Sequence, residues 1–339
     1  MAPFETRNRG LSPTKVALAL PFAAAAGWIA YSRFAVDHAV PLPLAIDVEV
    51  QAFPTENAGR LAYYARSGSG RPLVLLHGIN AAASSYEMRP LFEYYSHTRP
   101  VYALDLPGFG YSERVDRPYS PQLYQDTILG FLESVVGEPA DVVALSLSSE
   151  FAARAALLRP DRFHSLTLIS PTGFSARAPA SSSEPGRLNE TSDFSYSVFS
   201  FPLWALAFYD LLVTRPSIHY FLSRSFEGHV DQGLEDYAYI TSHQPGARFA
   251  PLSFVSGKLF TRDVRTEVYE RFTVPALVLY DRDGFVRFDT LPDLVERRTN
   301  WRCERIVPTR GLPQFDKLPE TVAALDAFWQ SELVAQRSR

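Results

Sequence analysis

The hydrophobic positions of this chain change period as it runs, and the changes mark its elements. Short apolar runs recur at Leu73–His77, Val101–Leu104, Val142–Leu145, Leu166–Ile169 and Ala276–Tyr280, and the mixed run Cys303–Val307 adds a further strand. Runs of that length, apolar on both faces, suit parallel strands buried between layers of helix. Helical stretches separate them, at Tyr86–Ser96, Pro121–Val136 and Ser148–Leu158. Val48–Phe53 and Leu61–Arg66 read as an antiparallel pair at the sheet edge. Pro319–Ala335 closes the chain as an amphipathic helix, with Val322, Leu325, Phe328, Trp329 and Leu333 on one face. Strand alternating with helix predicts an α/β fold: eight strands, mostly parallel, covered on both sides.

Two segments break the alternation. Over residues 172–271, Ala176–Thr191 is rich in Ala, Ser and Pro and reads as a loop. Helical stretches dense in aromatics follow, among them Phe194, Tyr196, Phe199, Phe201, Trp204, Phe208, Tyr209, Tyr220 and Phe221. Most of these should pack the insertion onto the core, and a minority would line an apolar pocket. The other break is N-terminal. Val16–Ser32 carries no charge over 17 residues. As a helix it would reach about 26 Å, close to the ~30 Å hydrocarbon core of a bilayer. Arg7, Arg9 and Lys15 precede it, while Arg33 and Asp37 after it cancel. That bias predicts a single pass with the N-terminus cytoplasmic and the domain extracytoplasmic. A signal peptide cleaved near the alanines at 23–26 and a plain amphipathic arm are the alternatives. The chain therefore divides into a membrane segment with linker (1–44), core (45–171), helical insertion (172–271) and core (272–339).

Composition changes this picture little. Apolar residues make up 46% and charged residues 21% of the 339 positions, ordinary for a globular domain. The net charge of −4 leaves no footprint for nucleic acid. The single cysteine, Cys303, rules out an internal disulfide and lies in a strand-like run. No His/Cys cluster has metal-ligand spacing, and no Gly-rich phosphate cradle is present, so no metal or cofactor is expected. Oligomeric state is not legible.

The chemistry concentrates at one corner. Asp141-Val142-Val143-Ala144-Leu145-Ser146-Leu147-Ser148 runs from a buried strand through a tight turn into a helix. Small residues stand two before and two after Ser146, as a strained strand–turn–helix corner demands. Such a corner lifts one hydroxyl out of the sheet and points a helix N-terminus at it.

Several motifs in order carry a resemblance to the α/β-hydrolase fold family over roughly residues 45–335. Pro72-Leu73-Val74-Leu75-Leu76-His77-Gly78 resembles its strand and oxyanion loop. Asp105-Leu106-Pro107-Gly108-Phe109-Gly110-Tyr111-Ser112 resembles its D-x-P-G-x-G-x-S loop. Ala144-Leu145-Ser146-Leu147-Ser148 is similar to G-x-S-x-G with both glycines replaced. Pro275–Val286 resembles the acid-bearing strand end. The resemblance implies that 172–271 is a cap over the site. It implies Ser146 as nucleophile, the Ile79 and Leu147 amides as the oxyanion hole and Asp283 as the acid, with Asp281 the runner-up. His77 would bond loop backbone, and Asn80 could add a donor.

The chain departs from the family at the histidine. Gly311-Leu312-Pro313-Gln314-Phe315-Asp316-Lys317 is similar to the segment that bears it, and the match puts Gly311 at the histidine position. No histidine follows His243. Among the seven, His164 falls at the foot of the sheet, His38 in the linker and His97 at a helix end. His243, in a turn of the cap, is the best substitute base. Two functions compete: a membrane-anchored serine esterase or lipase-like hydrolase for an apolar acyl ester, and a catalytically impaired hydrolase-fold protein that binds an apolar ligand, lipid or partner protein. Serine rather than aspartate at the elbow disfavours dehalogenase and epoxide-hydrolase chemistry.

Overall fold

In the computed structural model, which describes residues 13–175 and 185–335, all eight strands join one sheet. A helix, α1 (Pro13–Phe34), comes first. The edge pair is β1 (Val50–Thr55) and β2 (Gly59–Arg66), antiparallel as their alternating pattern required. Then follow β3 (Leu73–Leu76), α2 (Arg89–Tyr95), β4 (Val101–Asp105), α3 (Pro121–Phe131), β5 (Ala140–Leu145), α4 (Ser148–Leu158) and β6 (Phe163–Ile169). The strand order is β1-β2-β4-β3-β5-β6, continued by β7 (Ala276–Tyr280) and β8 (Trp301–Arg305). From β4 to β8 every pairing is parallel. Leu76 pairs with Ala144, Leu145 with Ile169, and Ile169 with Leu279. Four strands thus end at one level, and the loops that follow them converge on a single rim, where open α/β sheets bind ligands.

Both faces of the sheet are covered. On one, α3 and α4 pack through a Tyr124–Phe151 stack at 4.7 Å. Ala152, Ala153, Ala155 and Ala156 of α4 are fully buried, and their small side chains let this helix lie close to the sheet. The other face carries α2 and α12 (Leu318–Trp329), joined by Tyr95 to Trp329 at 5.2 Å and by the Tyr95 hydroxyl donating to Asp326 at 2.9 Å. Between β7 and α12 lie α10 (Leu291–Arg297) and the short α11 (Pro313–Asp316).

Between β6 and β7 the insertion is helical: α5 (Pro185–Phe199), α6 (Ala205–Leu212), α7 (Arg215–Ser223), α8 (Gln232–Ser242) and α9 (Phe249–Val255). The Asp231 carboxylate caps α8 by accepting from the Leu234 amide at 2.7 Å. The loop expected over Ala176–Thr191 needs correction, because helix begins at Pro185. Proline suits a first helical turn, where its missing N–H is not needed. Residues 176–184 lie outside the described set.

The N-terminal expectation also changes. Val16–Ser32 is helical within α1, and its 22 residues suffice in length. Among the described residues, however, no helix is long and apolar enough to cross a membrane. Absence of charge is not the same as apolarity. Alanines, Gly27, Pro21 and the Tyr31-Ser32 end dilute the segment. Its C-terminal part is instead bonded to the cap. The Trp28 indole N–H donates to the Ala207 carbonyl at 2.7 Å, and the Ser32 hydroxyl donates to the buried Asp210 at 2.6 Å. His38 Nε2 lies 3.0 Å and 3.1 Å from the two Asp210 oxygens.

Candidate active site

The corner between β5 and α4 is built by strain and by cross-ties. Ser146 sits at φ 53°, in the left-handed region that non-glycine residues avoid. Its amide donates to the Ile169 carbonyl at 2.8 Å, fixing the corner to the end of β6. Ala144 and Ser148 on either side are fully buried. The Ser148 hydroxyl donates to the His77 carbonyl at 2.5 Å, which binds the head of α4 to the loop after β3. Ser146 itself stays half-buried at the rim.

That loop, residues 77–82, is held from behind. His77 is fully buried; its Nε2 accepts from the Leu106 amide at 3.0 Å, so Nδ1 carries the proton and donates to the Gly78 carbonyl at 2.6 Å. Burial pushes its pKa down, and the neutral ring is a strut, as expected from the sequence. Glu87, just before α2, does more. One carboxylate oxygen accepts from the Gly78 amide at 2.7 Å and the other from the Asn80 side-chain amide at 2.7 Å. The Asn80 oxygen in turn accepts from the Ala82 amide at 2.8 Å. A β-carbon on Gly78 would stand 3.0 Å from Glu87 Oε2 and 3.6 Å from Leu145, so only glycine passes freely between them. Burial pushes the Glu87 carboxyl up to about 7, against the downward pull of Asn80 and the Gly78 amide. The Ser146 and Gly78 amides are already bonded, and Leu147 and Ile79 are the residues that follow them. Asn80 is fixed in place by Glu87 and the Ala82 amide.

Asp283 follows β7. One of its oxygens accepts from the Phe285 and Val286 amides at 2.7 Å and 3.1 Å. The other accepts from the Ser170 hydroxyl at 2.6 Å. Ser170 ends β6 at φ 46°, a second strained serine beside the elbow. A β-carbon at Gly311 would stand 3.0 Å from that same Asp283 oxygen and 3.7 Å from the Ser225 β-carbon. Asp281 is employed elsewhere: it accepts from Arg305 at 2.9 Å and from the Thr309 amide at 3.1 Å. Arg282 and Arg310 both bond Glu227.

With this geometry in view, comparison with known proteins is decisive about kinship. The sequence profile described as the Alpha/beta hydrolase family matches residues 73–325. The chain belongs to the alpha/beta hydrolase family. Within the family, 2-hydroxymuconate semialdehyde hydrolase of Pseudomonas sp. (strain CF600) is 33% identical over 111 residues, 32% of this chain and 39% of that protein. Esterase Rv0045c of Mycobacterium tuberculosis (strain ATCC 25618 / H37Rv) is 32% identical over 116 residues, 34% of this chain and 38% of its own. The chain thus matches about two-fifths of the length of these relatives. Pimeloyl-[acyl-carrier protein] methyl ester esterase of Aeromonas salmonicida (strain A449) is 28% identical over 68% of this chain and 85% of that protein. Among solved structures, a bacterial membrane phospholipase A has a TM-score of 0.64 at 18% identity, covering 93% of this chain and 94% of that one. That likeness speaks for the fold.

His77 meets the elbow only through its backbone carbonyl, and His243, His164 and His219 are placed elsewhere. His243 is buried, with Nδ1 at 2.7 Å from the Tyr239 carbonyl and its ring 4.1 Å from the Tyr239 ring and 6.0 Å from His38. Burial pushes its pKa down. Among the described residues it makes no hydrogen bond to Ser146. His164 stands at the start of β6, five strand residues or roughly 16 Å from the rim. His219 pairs with Glu235 at 2.9 Å on the cap surface. Sequence reasoning brought Ser146, Ile79, Leu147, Asp283 and Gly311 to one rim but missed Glu87 and Ser170. Glu87 left one signal: an acidic residue among Tyr86, Met88, Leu91 and Phe92, on the face of the helix that should be apolar.

Proposed function

We propose that the chain is a serine hydrolase acting on a carboxylic ester with an apolar acyl part. The observation that carries this is Ser146, held at φ 53° at the head of α4 opposite an oxyanion loop that Glu87 braces. Strain of this kind costs on the order of 1–3 kcal/mol and persists where the surrounding structure imposes it. The Ser146 oxygen would bond the acyl carbon while the Ile79 and Leu147 amides take the oxyanion charge. The ester C–O bond then breaks, the serine proton ends on the departing alcohol, and water releases the acid from the acyl-serine. Gly311 supplies no imidazole for the proton, so turnover is slow. Because His243 makes no hydrogen bond to Ser146, the substitute-base role falls to solvent beside Asp283, since an oxyanion hole and binding alone sustain residual catalysis.

Membrane contact belongs to the same proposal, now as surface contact through α1. Phe22, Tyr31 and Phe34 are exposed on it, and Phe194, Phe201, Leu203 and Trp204 are exposed on the cap. Arg7, Arg9 and Lys15 would add attraction to an anionic lipid surface, and co-sedimentation with anionic against neutral vesicles checks that contact. A second reading, an impaired enzyme that only binds an apolar ligand or partner, is favoured by Ser170 occupying the Asp283 oxygen that faces position 311. Hydrolysis of p-nitrophenyl esters separates the two. Slow turnover lost in Ser146→Ala supports the hydrolase, and turnover unchanged by that substitution ends it.

A further inference from the structure

A cavity of about 680 Å³ lies between α1, α6 and α9, away from the elbow. Ser146, Ile79, Leu147, Asp283 and Gly311 take no part in its lining. Its walls are mostly apolar, with Ile29 from α1, Leu203 and Leu206 before and within α6, and Phe249 and Leu252 from α9. Two arginines line it, the exposed Arg33 from the last turn of α1 and Arg248 from the start of α9. The one carboxylate in the lining, Asp116, is exposed.

Among the described residues, no carboxylate lies within 4 Å of Arg33 or Arg248. Arg248 is half-buried, lies 4.2 Å over the Phe249 ring, and has its pKa pushed down by burial. Asp116 and Asp210 attract Arg248 only from beyond 4 Å and do not offset its burial, so a ligand anion in direct contact would relieve the remaining cost. Guanidinium also suits the two-oxygen head of a carboxylate or phosphate. The volume falls within the range of a single small ligand. Leu203, in the wall, is 60% exposed, so the apolar lining continues to the surface.

We propose that this cavity binds an anionic amphiphile with one acyl chain, its head on Arg248 and Arg33 and its chain along Leu206, Phe249 and Leu252. The site stands apart from Ser146 and does not rest on catalysis there. Because α1 forms one wall, ligand binding fastens this helix to the cap.

The test is titration of the full, delipidated chain with cis-parinaric acid, followed by displacement. Saturable binding at one site is expected, displaced by oleate or by a lysophosphatidate of the same chain; the better competitor identifies the head group. Oleyl alcohol, which lacks the charge, should compete at least tenfold worse. Arg248→Gln should weaken binding about 10- to 100-fold, the value of a charge-assisted hydrogen bond. Arg248→Lys should retain more affinity than Arg248→Gln. Leu206→Trp should fill the cavity and block binding, while Ser146→Ala should leave affinity unchanged. Thermal melting separates unfolding from loss of the site, and Arg33→Gln serves where an Arg248 variant fails to fold. Absence of saturable binding, indifference to both the charge and the filling substitutions, or loss of binding in Ser146→Ala would overturn the proposal.

Discussion

Asp283 and Gly311 face each other as an acid faces the residue it orients: a β-carbon at 311 would begin 3.0 Å from the Asp283 carboxylate. Gly311 does not hold a left-handed backbone, and the next neighbour, the Ser225 β-carbon, lies at an ordinary 3.7 Å. A β-carbon is therefore accommodated there once Asp283 yields a few tenths of an ångström. Gly311→His should raise ester hydrolysis by roughly 10²–10⁴-fold, the usual contribution of a general base. The gained activity should rise with pH through the histidine range and vanish in the Asp283→Asn background. A flat pH profile in Gly311→His would show that the new ring does not serve Ser146.

Two buried carboxyls set a pH dependence of stability. Glu87 and Glu150 are both pushed up to about 7 by burial. Glu150 accepts from Thr172 and from the Thr261 amide, tying α4 to the end of the cap. For a carboxyl whose folded pKa is raised, folding favours the protonated form. The resulting stability is fully present below about 4.5 and is lost as pH rises to about 7. Each group accounts for on the order of 3 kcal/mol over that window. Glu150→Gln should flatten the fall in urea midpoint between pH 5 and pH 8. A fall as steep as in wild type would contradict the assignment to Glu150.

Asp210 fastens α1 to the cap, accepting from Ser32 and meeting His38. Asp210→Ala removes hydrogen bonds to a buried charge, each contributing about 1.5–3 kcal/mol. Trypsin cleavage after Arg33 should then accelerate about tenfold or more, because local opening becomes easier. An unchanged cleavage rate would mean that Trp28 and apolar packing hold the helix alone.

Much of this arrangement was legible in the sequence because the inner strands of the sheet are buried along their whole length. Strands covered on both faces read as bare apolar runs, and Val142–Leu145 and Ala276–Tyr280 fall on β5 and β7 almost residue for residue. The elbow was legible through the small residues flanking Ser146, which the structure buries completely. What failed had weaker local signals. Composition carried the loop past its end, so the helix from Pro185 was missed. Counting charges instead of apolarity made a bilayer span of α1. Glu87 and Ser170 act through partners 9 and 113 residues away, which no local pattern reports.

The most direct measurement is labelling of the full chain by a fluorophosphonate, read by mass spectrometry of the peptide that contains residue 146. The account predicts slow, saturating, one-to-one modification at Ser146, absent in Ser146→Ala and faster in Gly311→His. Wild-type protein labelled no more than Ser146→Ala would contradict it.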